Sequence, residues 1–262
     1  MIGLDRALFI RRNTVVTAPP LVPEIRLQLA TEITPMWQAT EEIFTRNAVP
    51  PPFWAFAWTG GQALARYLLD HPDQVAGGSV LDFGAGSGLV AIAAAMAGAS
   101  PVLAAEIDYV AVAAITSNAR LNQVEIEVTT TDLIDANDSR WQVVTAGDVC
   151  YEQPLAGRVA AWLRFLARCG CVVLFGDPGR AYLPTEGLRE RARYLVPTSR
   201  DLEGSETRDG VVWEMNGARQ LVLPGPYSCH ALFQPARFHR PARDGRAARA
   251  GGRTGFALPR DD

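Results

Sequence analysis

The sequence predicts an α/β fold, a doubly wound and mostly parallel sheet that finishes in an antiparallel hairpin. Three observations lead there. Short apolar runs alternate with helical stretches through the centre of the chain, a glycine-rich turn (VLDFGAGSGL, 80–89) follows the first of those runs, and an Asp-Gly pair at 209–210 separates two late ones. Strands alternating with helices of this length imply βαβ crossovers and a parallel sheet. An Asp-Gly pair between apolar runs signals a hairpin.

Taken in order, 24–30 (EIRLQLA) alternates like a strand and 40–46 is helical. Three prolines, Pro50 to Pro52, make a stiff connector into FWAFAWTGGQALARYLLD. A strand at 79–83 leads into an Ala-rich helix at 89–97, which Gly98 ends. A second strand (102–106), a second helix (110–122) and two further strands (126–130 and 142–146) follow. After Pro154 an amphipathic helix spans 155–167, and CVVLF (171–175) is the fifth strand. The end is predicted as a short helix at 189–194, then strands 199–207 and 211–215 joined by Arg208-Asp209-Gly210. From Gly217 onward Pro, Gly and Arg abound without apolar period, which predicts disorder. The expected organisation is an extension at 1–50 packing on a domain at 51–216, with an Arg/Pro/Gly-rich tail at 217–262.

The composition is that of a soluble globular protein, with 262 residues, 48% of them hydrophobic and 20% charged. No apolar run reaches the roughly 18 residues that a membrane span needs. The N-terminus does not read as a secretory signal, and Asp5 counts against a mitochondrial presequence. The four cysteines form no C-x-x-C pair; Cys169 and Cys171 are expected on one face of a strand as buried, inert thiols, and a reducing cytoplasm fits. All basic side chains are arginine, for the chain has no lysine. Residues 1–216 hold 17 Arg against 25 acids, a net of −8, whereas 217–262 hold 8 Arg against 3 Asp, a net of +5. An acidic body argues against nucleic acid as a partner. No membrane partner and no metal are expected, and the protein is expected to be monomeric.

The chemistry concentrates at strand ends. Gly84, Gly86 and Gly88 allow a tight turn and close backbone approach to a ligand, with the N-terminus of the next helix aimed at it. The spacing is G-x-G-x-G rather than the dinucleotide G-x-G-x-x-G, and Asp82 precedes it. A carboxylate there would repel a pyrophosphate but suits the cationic end of S-adenosylmethionine. Glu106, ending the second strand, is placed to accept both ribose hydroxyls of an adenosyl cofactor, and Asp108 to cap the following helix. Asp132 can accept from the adenine amino group while Leu133 packs on its ring; the alternative for Asp132 is a turn residue. Asp148 and Tyr151, in AGDVCYEQP after the fourth strand, stand at the carboxyl edge where ligands bind in open α/β sheets. Asp148 is better cast as an orienter of an incoming amine than as a strong base, because a nearby carboxylate alone favours the ammonium. Its alternative is a loop or capping residue.

With these residues in hand, the chain resembles the seven-strand, Rossmann-like S-adenosylmethionine-dependent methyltransferases. Within them it is similar to the protein-lysine branch carrying D-x-x-Y after the fourth strand, and to the electron transfer flavoprotein β subunit lysine methyltransferase family. VPEIRLQLA, PPFWAFAWTGGQALARYLLDHP, VLDFGAGSGLVAIAA, AGDVCYEQPLA and FGDPGRAYLP carry the resemblance, over roughly residues 20 to 215. It implies cofactor contacts at Trp58 and at Gly84 to Gly88, with Glu106 on the ribose. It further implies that Asp148 and Tyr151 shape the lysine channel, and that the β subunit of that flavoprotein is the substrate. Trp54 is read as a core aromatic. Asp177 and Arg180 of GDPGR either line the substrate side or form a salt-bridged turn. Cys150 stands where an aromatic is frequent, and the tail beyond 216 has no counterpart in the resemblance. The competing readings are a ribosomal-protein or small-amine methyltransferase of the same fold, an NAD-dependent dehydrogenase, and a non-catalytic module.

Overall fold

The computed structural model describes residues 6–44 and 51–217. The predicted tail, from 218 on, therefore lies outside the described residues, as do 45 and 46 of the predicted 40–46 helix. The elements are α1 (Arg6–Asn13), β1 (Val15–Thr17), β2 (Leu27–Leu29), α2 (Ile33–Phe44), α3 (Thr59–Asp70), β3 (Val80–Phe83), α4 (Leu89–Met96), β4 (Val102–Ala105), α5 (Tyr109–Leu121), β5 (Glu127–Thr129), β6 (Val143–Gly147), α6 (Leu155–Arg168), β7 (Val172–Asp177), β8 (Leu188–Pro197), α7 (Arg200–Glu203) and β9 (Thr207–Met215). Seven strands form one sheet in the order β5-β4-β3-β6-β7-β9-β8. Pairs from β5 through β7 are parallel, and β9 runs antiparallel to both β7 and β8.

Alternation along the strands sends neighbouring residues to opposite faces. Val80, Val102, Val143 and Leu174 meet α3 and α4 on one side. Leu81, Leu103, Val144, Val173 and Phe175 meet Val159, Trp162, Leu163 and Leu166 of α6 on the other. The order reverses between β3 and β6, the switch point beside which open α/β sheets bind ligands.

The N-terminal segment packs on this frame. Phe9 and Ile10 of α1 join a cluster with Val110, Ala111 and Ala114 of α5. Strand β2 is tied to α5 by Asn118, whose Oδ1 accepts from the N–H of Gln28 at 2.8 Å while its Nδ2 donates to the Ser87 carbonyl at 2.9 Å. One buried amide thereby links the extension to the glycine loop.

Two late elements differ from the sequence reading. Residues 189–194, expected as a helix, belong to the long edge strand β8, whose pairing with β9 overrides the helical preference of its Arg and Glu residues. The hairpin turn is not at Asp209-Gly210, which sits inside β9, but at 198–206, which carries the short helix α7. Gly210 is there for close packing: a Cβ on it would lie 2.7 Å from Ala63 Cβ and 3.0 Å from the Thr59 carbonyl oxygen. Cys169 and Cys171 do not share a strand face either. Cys169 caps the C-terminus of α6, and buried Cys171 precedes β7, its thiol donating to the Ser139 carbonyl at 3.7 Å.

The first turn of α3 rests on the carboxyl ends of β6 and β7 through glycines. A Cβ on Gly176 would overlap the Gly60 carbonyl, with the Gly60 carbonyl carbon at 2.8 Å, and one on Gly147 would lie 3.1 Å from Gly61 Cα. A Cβ on Gly61 itself meets only Asp148 Oδ2, at 3.9 Å. Gly176→Ala is therefore expected to lower unfolding free energy by about 2–3 kcal/mol, the cost of overpacking a rigid contact. Gly61→Ala should be nearly neutral. Urea denaturation of the two variants compares them directly.

Candidate active site

The ends of β3 and β6, the glycine loop and the start of α3 converge on one cleft. Its lining includes Phe53, Trp58, Asp82, the loop from Gly84 to Ser87, and Asp148. The glycine loop is a backbone device: φ is +65° at Gly84, +53° at Gly86 and +82° at Gly88, all left-handed values that favour glycine. Gly88 is the N-cap of α4 and accepts from the N–H of Ile92.

Asp82 forms part of the cleft floor, yet it is only 1% exposed. One carboxylate oxygen accepts from the N–H of Ala91 in the first turn of α4 at 3.0 Å, the other from the Thr145 hydroxyl at 2.9 Å. The residue thus fastens the helix to two strands. Burial pushes its carboxyl up to about 7, against the hydrogen bonds from Thr145 and Ala91 that lower it. Glu106 clamps the loop from the side: Oε2 accepts from Gly86 N–H at 2.9 Å and Oε1 from Asp108 N–H at 3.1 Å. Its carboxyl is raised chiefly by burial. Asp108 caps α5 as expected, accepting from Val110 N–H at 2.7 Å.

Asp132 and Leu133 are not among the residues lining the cleft. Asp132 is exposed and accepts from Ile134 N–H at 3.0 Å, closing its own turn, while half-buried Leu133 packs with the α6 cluster. Its geometry is that of the turn residue foreseen as the alternative.

Asp148 follows β6 with φ at +56°, rare for a residue with a side chain and of a kind that clusters at functional sites. Its N–H donates to the Gly176 carbonyl at 2.8 Å, which extends the β6–β7 ladder. Oδ2 accepts from Gly61 N–H at 2.7 Å, a hydrogen bond that the glycine contact under α3 makes possible. Oδ1 accepts from Arg180 Nε and Nη2 at 3.1 and 2.7 Å. The side chain is 8% exposed, and burial lifts its carboxyl to about 6 even though Arg180 pulls the other way. Burial also lifts Cys150 to about 12, so that thiol is inert.

Aromatic rings complete the wall. Phe53 lies 5.3 Å from Tyr151 and 5.9 Å from Trp58, centroid to centroid, and Trp58 Nε1 donates to the Phe53 carbonyl at 2.8 Å. Tyr151 is 42% exposed, at the rim of this wall. Trp54 is buried, in keeping with its reading as a core aromatic. Two contributors were not foreseen. Phe53 bridges Tyr151 and Trp58, and its only sequence signal is its place in the PFWAFAW stretch. Glu203, whose side chain is 1% exposed, reaches in from α7 to Arg180, Arg208 and the N–H of Thr59. No local motif marks it. The structure places Arg180 in an ion pair with Asp148 itself, where sequence left a turn or the substrate side open.

The family model "Ribosomal protein L11 methyltransferase (PrmA)" matches residues 62–148. Proteins named electron transfer flavoprotein beta subunit lysine methyltransferase match far more of the chain. The one from Xenopus laevis is 41% identical over 211 residues, 78% of this chain and 85% of its own length. The human protein is 37% identical over 215 residues, 78% and 80% respectively. A homolog from Caenorhabditis elegans is 34% identical, covering 64% of this chain and 75% of its own. A ribosomal protein L11 methyltransferase from Caldicellulosiruptor bescii is 49% identical, but over 88 residues, 27% of its length. The seven-strand sheet, its switch-point cleft and relatives of this similarity along most of their length place the chain in the electron transfer flavoprotein β subunit lysine methyltransferase family, whose cofactor is S-adenosylmethionine.

Proposed function

We propose that the protein methylates lysine ε-amines of the β subunit of electron transfer flavoprotein, with S-adenosylmethionine as donor. The observation that carries this is the juxtaposition in one cleft of the glycine loop and buried Asp148, beneath the rings of Trp58, Phe53 and Tyr151. When bound, the cofactor supplies a methyl group already activated by its sulfonium. The residues present fit it: three left-handed glycines leave the loop backbone bare, and a carboxylate stands beside them at the end of β4. In this reading Gly84, Gly86, Gly88 and Trp58 hold the donor, and Glu106 takes the ribose hydroxyls. Asp82 supplies negative charge beneath the sulfonium.

The remaining work belongs to the acceptor side. Asp148 accepts an N–H of the neutral amine and aims its lone pair; Tyr151 and Phe53 flank the alkyl stem and exclude water. Positioning of this kind supplies most of the acceleration when the leaving group needs no further activation. The family match that stops at residue 148 leaves out Tyr151, whereas the flavoprotein methyltransferases match most of the chain. That contrast favours the flavoprotein substrate over ribosomal protein L11.

Incubation with labelled donor and purified β subunit should place label on its lysines; a β subunit left without label would refute the substrate assignment. Asp148→Ala should cut kcat/KM by about 100-fold or more while the affinity for S-adenosylhomocysteine changes by less than about threefold. Because Asp148 must be ionised and the lysine neutral, log kcat/KM should climb with a slope near ~2 below about pH 6 and near ~1 above it. Asp82 ionises near pH 7, so the preference for S-adenosylmethionine over its neutral product should strengthen as pH rises through that value. Calorimetric titrations across that range check this, and Asp82→Asn should flatten the trend.

A further inference from the structure

Asp148 already has a cation. Arg180, from the turn after β7, donates twice to its Oδ1, at 3.1 and 2.7 Å, and once to Glu203 Oε1 at 3.2 Å. Its Cζ stands 5.4 Å from the centroid of the Trp58 ring, so the guanidinium lies between the carboxylate and the aromatic wall. Burial works against the charged form of Arg180, but Asp148 and Glu203 outweigh it and raise its pKa further. Around this pair, Asp177 closes β7 and accepts from the N–H groups of Gly179 and Arg180 at 2.7 Å each. Glu203 from α7 is held by Arg208 of β9 at 2.9 Å and by the Thr59 N–H at 3.3 Å. The groups facing Asp148 are thus Arg180, Asp177 and the start of α3; those facing Arg180 are Asp148, Asp177, Glu203 and Trp58.

A carboxylate close to a lysine raises the amine's pKa, by about 1–3 units at 4–6 Å, which opposes the deprotonation that attack requires. A second cation in the same slot does the reverse. We propose that Arg180 is the positioning residue that makes the slot select the neutral amine, its guanidinium cancelling the charge of Asp148 through Oδ1 while Oδ2, which takes the single Gly61 N–H, keeps a lone pair to accept an N–H of the amine. This rests on the reading that the lysine arrives at Asp148. The amine's proton leaves to solvent before attack, and no group in the slot need take it. Arginine suits the task because it stays protonated at any working pH and its planar fork grips a carboxylate edge. The chain's freedom from lysine also means that it carries no side-chain amine to compete for the same slot.

The test compares wild type, Arg180→Gln and Arg180→Lys. In the glutamine variant the amine limb of log kcat against pH, which reports the bound amine, should move up by about one unit, so a deficit near pH 7.5 of about tenfold is recovered only above the raised limb. The lysine variant keeps a cation and should keep the limb near its wild-type position. A glutamine variant slowed by one factor at every pH would overturn the proposal, because only a structural role would remain. Independently of any acceptor, carbon NMR titration of the Asp148 carboxyl should show its pKa rise above about 6 in the glutamine variant. An unchanged Asp148 pKa would overturn the proposal. Wild type that labels no lysine would instead refute the substrate reading, with the carboxyl titration still deciding the role of Arg180.

Discussion

The site depends on a helix touching a sheet backbone to backbone. Gly60 and Gly61 open α3, Gly147 and Gly176 end the strands beneath it, and side chains at three of these positions would hold the two apart. Direct contact brings the Gly61 N–H within 2.7 Å of Asp148, so a helix N-terminus, the positive end of its dipole, faces a nearly buried carboxylate. The same approach carries Trp58, the residue before the helix, into the cleft wall. Widen that contact by one methyl group and the carboxylate loses a donor while the aromatic wall shifts.

Electrostatics then divides the labour among the acids. Asp82 holds the Ala91 N–H of α4 and the Thr145 hydroxyl of β6, Glu106 holds the N–H groups of Gly86 and Asp108, and in doing so they shape the half of the cleft around the glycine loop. Asp148, Asp177 and Glu203 gather around Arg180 and Arg208 on the acceptor half. Burying charge is costly unless each ion is paired and hydrogen-bonded. Asp148 and Glu203 meet that condition through Arg180 and Arg208, whereas Asp177 has Oδ1 on two backbone N–H groups and Oδ2 buried without a hydrogen-bond partner, so this cluster is built from the turn after β7, α7 and β9, segments far apart in the chain.

This difference explains what was legible beforehand. The donor half is encoded locally: a strand, three glycines, a helix and an acid at the next strand end occur within residues 80–106, and the structure brings them together. The central parallel strands β3, β4, β6 and β7 were equally plain, since their apolar runs are buried on both faces. Asp148 was recognisable from its place at a strand end, but its partner was not, because an Arg in a GDPGR turn looks the same whether it faces solvent or a carboxylate. Glu203 was invisible, being one acid among several in a region whose turn was misplaced. That misplacement has a physical origin: Gly210 reads as a turn residue, yet it is small because α3 presses on it.

Strand order has a consequence for how the molecule is made. The last strand, β9, does not join the sheet at its edge but lies between β7 and β8. A chain growing from its N-terminus at about 5–20 residues per second can assemble the parallel half, with its glycine loop, early. It can close the antiparallel half only once residue 215 has emerged, since β8 has no other neighbour in the sheet. Arg208 and the cap that Glu203 lends to α3 arrive with that final segment. During synthesis the half that carries the glycine loop therefore precedes the half that carries the Arg180 and Glu203 ion pairs, and a nascent chain holds the parallel strands before β8 has any partner to pair with.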